Sequence, residues 1–309
     1  MSDRYNRLIN ALNNGEHILI DGATGTEVEK RGVPQLENAW NGGGALSHPD
    51  ILREIHEDYI RAGAHIIISN TFATHRSALE DAGEAHNFEA YNRRGVELAC
   101  EARERSGAEH VLVAGGLSHW TWIDNDPPIE HLKDAAREQA AIMADAGAEL
   151  LMLEMMSEVG RLEAVLEAAL ETGLPVWPGL TCRVDPKLGV VLDAGEPLAD
   201  AMAIIEQHNV DLVNIMHTEV TDINACLDAL TPLWDGLVGV YAHASEYVDD
   251  GGFRWNFNDV ISPQAYQGYV EQWLAKDVRL IGSCCGTVSY THLRAHETDS
   301  YLVCRLLLE

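Results

Sequence analysis

The chain has 309 residues, 46% of them apolar, enough for one large core and within the size range of a single α/β barrel. Its 49 acidic against 21 basic residues give a formal net charge of -28, a field that repels phosphate backbones and anionic lipid headgroups and so argues against nucleic acid and membrane surfaces as partners. Six cysteines spread over this length, with no apolar secretory segment after Met1 and no apolar run of roughly 20 residues, exclude a disulfide scaffold and a membrane span and leave the cytoplasm as the expected compartment.

One pattern recurs along the chain: a helical stretch ending in small residues, a short apolar run, then a polar residue where the run stops. In chain order the runs fall at 17–21, 65–70, 110–116, 149–154, 175–182, 210–217, 237–243 and 278–284. Continuous apolar runs suit parallel strands buried on both faces. Helix-period segments lie between them, such as 48–62, with Ile51, Ile55, Tyr59 and Ala62 on one face, and 263–275, where Pro263 fits a helix start. Eight strands alternating with helices predict an α/β fold of the TIM barrel type, (β/α)8.

A barrel of this kind assembles its chemistry at the carboxyl ends of its strands. Those ends carry Asp21, Asn70, Ser118, Glu154, Thr181, Asn214, His217, His243, Cys284 and Cys285. Turn formation accounts for some polar residues there, but not for metal-ligating types and two carboxylates in one ring. Cys284 and Cys285 are the sharpest signal. Adjacent cysteines seldom close a disulfide with each other, because the small ring strains the peptide, whereas a turn can aim both sulfurs at one soft cation such as zinc. The plain alternative is a pair of buried thiols acting as small hydrophobes.

The tail departs from the pattern. A closing helix is due after Cys285, yet 288–309 resembles translated adapter sequence, so the domain is expected to span 1–287 with a non-native tail and an atypical or incomplete last helix. On that reading His292, His296 and Cys304 carry no function. The alternative is a genuine amphipathic helix packed through Leu306 to Leu308.

Taken together, the turn Asp21-Gly22-Ala23-Thr24-Gly25-Thr26, Glu154 after the fourth strand, the Val213-Asn214 step in the sixth and the motif from Gly282 to Thr287 resemble the homocysteine S-methyltransferase family. Trp40 and the stretch from His48-Pro49 to Asn70-Thr71 are most similar to its betaine-using branch, and no folate or cobalamin domain follows. The resemblance implies an S-methyltransferase in which zinc, Zn2+, held by thiolates keeps the sulfur of homocysteine deprotonated, below the free-thiol pKa of about 8.5. That sulfur then takes a methyl group from a betaine-like or sulfonium donor, giving methionine. The resemblance also places Asp21 and Glu154 at the substrate ammonium and the amides of Ala23, Thr24 and Gly25 at its carboxylate. Asn214 and Trp40 join the substrate-binding set, Trp40 on the donor side. Asp21 capping a turn and Glu154 in a mouth salt bridge are the structural alternatives.

One departure stands out. Where the family pattern puts a third cysteine directly after the asparagine, this chain has Ile215, Met216 and His217. Because side chains alternate along a strand, positions 215 and 217 are expected on one side, so His217 is expected to replace the missing sulfur and make a metal site of Cys284, Cys285 and His217. Cys182 and, less well placed, Cys226 are alternative donors. Trp40, Trp120, Trp122 and Tyr247 offer aromatic faces to a methylated cation, worth about 0.5 to 2 kcal/mol each, although loop tryptophans equally suit a lid or a subunit contact in a homo-oligomer. His75, His119 and His243 are expected near the mouth without an assigned role, and Met152, Met155 and Met156 as core and pocket wall. Two further readings stay open: a divergent enzyme of the same fold acting on another thiol or sulfonium compound, and a non-catalytic thiolate metal-binding barrel.

Overall fold

The eight expected strands form one closed parallel barrel: β1 (Ile18–Leu19), β2 (Ile66–Ile68), β3 (Leu112–Leu117), β4 (Leu150–Met156), β5 (Val176–Leu180), β6 (Leu212–Glu219), β7 (Leu237–His243) and β8 (Leu280–Ser283). In this computed structural model residues 2–121, 126–243, 246–249, 253–256 and 261–285 are described. Each strand pairs with the next in chain order, and β8 returns to β1 through Ile18 opposite Leu280. The ring closes between β1 and β2, where the His65 amide donates to Leu19 O (2.8 Å) and the Asp21 amide to Ile66 O (3.0 Å). The expected tail, 288–309, and Trp122 lie outside the described residues.

Alternation along the strands sorts their side chains into two cores. Val113, Leu151, Leu153, Val213, Ile215 and Val240 point outward into the layer shared with the helices. Ile66, Leu112, Leu150, Met152, Trp177, Leu212 and Tyr241 fill the barrel interior. The helix Pro49–Arg61 starts on its proline, as expected, and buries Ile55 and Tyr59 of the expected face together with Leu52 and His56, while Ile51 and Ala62 pack partly buried against the same core. Pro263–Leu274 begins with Ser262 accepting from the Ala265 amide (3.2 Å).

Two features have no counterpart among the expected elements. A helix, Asp3–Asn13, seals the amino end of the barrel by sending Tyr5, Leu8 and Leu12 into the interior cluster, where Trp177 Nε1 donates to Tyr5 Oη (3.1 Å). Antiparallel hairpins leave β5 (Cys182–Asp185 with Gly189–Leu192) and β7 (Glu246–Asp249 with Phe253–Asn256). With the amino end plugged, the interior opens at the carboxyl ends of the strands.

Candidate active site

At that open end lies a pocket of about 720 Å³. Asp21, Ala23, Thr24, Gly25, Trp40, Glu154, His217, Cys284 and Cys285 all line it, so residues from four strand ends and the first two loops meet in one place. Asn214 does not line it. It is 0% exposed, one interior layer below, with Nδ2 donating to Pro178 O (3.3 Å), so it supports the pocket floor.

His217 reaches the pocket by a route alternation does not provide. Ile215 lies in the outer core and Met216 in the interior, so an unbroken strand would turn residue 217 outward. The pairing of β6 with β7 instead shifts register between Met216 and Glu219, and His217 takes φ of 44°. This bulge keeps Met216 and His217 on the same, inner side. β4 does the same thing: its register shifts between Leu153 and Met156, Met155 takes φ of 56°, and Glu154 and Met155 both face the pocket. A left-handed conformation at a non-glycine residue is strained, and strain of this kind gathers at functional sites.

His217 Nδ1 lies 3.3 Å from Cys284 Sγ, and Cys284 Sγ lies 3.9 Å from Cys285 Sγ. The Cys284 amide donates to Ala242 O (2.9 Å), which fixes the turn that points both sulfurs inward. Donation from the Cys284 thiol, helped by His217, holds the Cys285 thiol well below its ordinary range, while Cys284 itself is pushed well above. Behind His217 the ring of His243 packs edge-on at 4.4 Å, with His243 Nε2 bonded to Glu219 Oε1 (2.7 Å). The alternative donors are not brought in: Cys182 and Cys226 sit in the outer core, and contact with the Cys226 thiol, with burial, pushes Cys182 well above the usual thiol range.

The same pocket holds two carboxyls, Asp21 after β1 and Glu154 on β4. Asp21 is 2% exposed and accepts from the Ile68 amide (2.8 Å), yet burial still raises it well above the carboxylate range. Burial, and then the charge on Cys285, pushes Glu154 up to about 8. Two buried acids this reluctant to ionise match a ligand that brings its own positive charge. The turn after Asp21 leads into the helix Thr24–Lys30, and the Thr24 amide donates to Gly22 O (2.7 Å), so that amide serves the turn. Gly25 is required by close approach: a Cβ there would sit 2.1 Å from Asn41 Nδ2 and 2.6 Å from the Trp40 ring. Trp40, itself at φ of 44°, donates through Nε1 to Glu29 Oε2 (3.3 Å) and faces the pocket with Phe72 and Trp120. Asn41 and Tyr241 also line the pocket and went unrecognised in the sequence, since neither sits in a motif.

A family model described as homocysteine S-methyltransferase matches residues 18–297. The chain belongs to the homocysteine S-methyltransferase family. Homocysteine S-methyltransferase of Escherichia coli K12 is 30% identical, over 89% of this chain and 93% of its own length. A selenocysteine Se-methyltransferase of Brassica oleracea var. italica is 26% identical, over 92% and 89%. Among solved structures, the metallated form of the homocysteine methyltransferase MmuM from Escherichia coli superposes with a TM-score of 0.75 at 26% identity, covering 92% of this chain and 96% of that one.

Whether a metal suits this member of the homocysteine S-methyltransferase family can be tested on its own donor atoms. The ligand atoms of His217, Cys284 and Cys285 all lie within 4.8 Å of one another, the one such group of three among the described residues. A tetrahedral zinc ion with bonds of about 2.3 Å to sulfur and 2.0 Å to nitrogen separates its ligand atoms by roughly 3.5 to 3.8 Å. The observed separations of 3.3 and 3.9 Å bracket that range, and the soft sulfur and imidazole donors are those zinc prefers.

Proposed function

We propose that this chain transfers a methyl group from a betaine-like or sulfonium donor to the sulfur of homocysteine, giving methionine, with Cys284, Cys285 and His217 holding zinc. The observation that carries the proposal is the convergence of those three donors in one pocket with Asp21 and Glu154. When bound, zinc supplies a lowered pKa for a thiol attached to it.

The protein's own share is binding and alignment. Asp21 and Glu154 receive the ammonium of homocysteine, whose charge offsets the burial that keeps them protonated. The amides of the turn around Ala23 and Gly25 take the carboxylate. Held at both ends, the acceptor can point its sulfur toward the outer pocket. There Trp40, Phe72 and Trp120 present apolar faces suited to a methylated cation. The sulfur forms a bond to the methyl carbon as the donor's carbon–nitrogen or carbon–sulfur bond breaks, and the leaving group departs neutral with the electron pair. In-line displacement has strict geometry, so fixing the two reactants accounts for most of the acceleration.

Two measurements test the proposal. Metal analysis is expected to find about one zinc per chain and a large loss of it in His217→Ala; unchanged metal content in that variant would remove His217 from the ligand set. Methionine formation should appear with homocysteine and at least one of betaine, S-methylmethionine, dimethylsulfoniopropionate and S-adenosylmethionine. A zinc-loaded chain that yields methionine from none of them would sink the reading, and selenocysteine, named by the Brassica relative, is the next acceptor to assay.

A further inference from the structure

Tyr241 lies on β7, between the strands that carry His217 and the cysteine pair. Its register partners are Met216 on β6 and Gly282 on β8, which puts it one interior layer beneath His217 and Cys284. The residue is 2% exposed and lines the pocket, and its hydroxyl has no hydrogen-bond partner among the described residues. The ring needs Gly179 to reach this position: a Cβ on Gly179 would lie 2.7 Å from Tyr241 Oη and 2.6 Å from Leu153 O. A buried hydroxyl left without a partner costs about 1–3 kcal/mol, and native proteins rarely leave one so unless something else is meant to occupy it.

The surroundings say what that something is. Tyr241 lines the same pocket as Asp21 and Glu154, and burial first, and then the charges of Glu154, Cys284 and Asp21, keep the phenol neutral, with its oxygen available to accept a hydrogen bond. An α-ammonium group carries three N–H donors and needs three acceptors. Asp21 and Glu154 supply two, and Asp21 Oδ2 already accepts from the Ile68 amide. We propose that Tyr241 Oη is the third acceptor for the α-ammonium of the thiol substrate. This rests on the reading that the pocket takes an amino-acid thiol.

The test uses the zinc-loaded full chain and Tyr241→Phe, which removes the oxygen and keeps the ring. Calorimetry compares L-homocysteine with 4-mercaptobutanoate, the same molecule without its amino group. In the variant the Kd for homocysteine should rise about tenfold, the strength of a hydrogen bond to a charged group, while that for 4-mercaptobutanoate stays within about twofold. The melting temperature should not fall, since an unpartnered buried oxygen has been removed. Equal weakening of both thiols would mean that the hydroxyl serves the sulfur or the shape of the floor, and unchanged homocysteine binding would mean that it contacts nothing; either result overturns the proposal. A wild-type chain that binds neither thiol overturns the functional reading along with it.

Discussion

His56 gives the structure a measurable sensitivity to acid. It sits in the helix Pro49–Arg61, 0% exposed, with neither ring nitrogen bonded to any described residue, and burial alone lowers its pKa to about 4. Because the folded pKa lies below the unfolded value of about 6.5, the neutral ring costs the fold little above pH 6.5. As pH falls from there toward 4, the unfolded chain gains a proton that the folded one refuses. Linkage over a drop from about pH 7.5 to pH 5 removes about 2 kcal/mol from this residue alone. His56→Leu keeps a similar volume, leaves no polar atom unpaired and cancels that loss. Urea unfolding of both proteins at the two pH values should therefore show the variant losing about 2 kcal/mol less than the parent, which still titrates through His75 and His119, lowered to about 4 and about 3. If parent and variant lose the same stability between the two pH values, the ring is not the buried neutral group described.

Trp40→Ala should raise the KM of the methyl donor by roughly two- to thirtyfold, the range that 0.5 to 2 kcal/mol of cation–π attraction allows, and leave that of homocysteine unchanged; equal effects on both would place Trp40 outside the donor side. The net charge of -28 predicts that the melting temperature climbs as potassium chloride is raised from low ionic strength. Exposed ion pairs such as Arg137 with Glu171 oppose this, but such pairs are worth little each, so a melting point that falls with salt would show the surface networks outweighing self-repulsion.

From the sequence alone the barrel, the order of its strands and the ring of chemistry at their ends are all legible. Strands buried on both faces read as apolar runs, and the residues that stop those runs include Asp21, Glu154, His217 and the cysteine pair. Side-chain direction was a tertiary matter. The bulges at Met155 and His217 arise from register slips against β5 and β7, and a positive φ at a non-glycine residue leaves no mark in the chain. Strict alternation puts Ile215 on the same side as His217, whereas the barrel buries Ile215 in the outer core and turns His217 toward Cys284. Asn214 stands in a family motif yet lies beneath the pocket, while Asn41 and Tyr241 stand in none and line it. The Asp3–Asn13 helix, absent from the expected elements, finds its place only because the barrel leaves an amino end to fill. Which residues are apolar is written locally, but which of two directions a side chain takes depends on the strands beside it, and those come from distant parts of the chain.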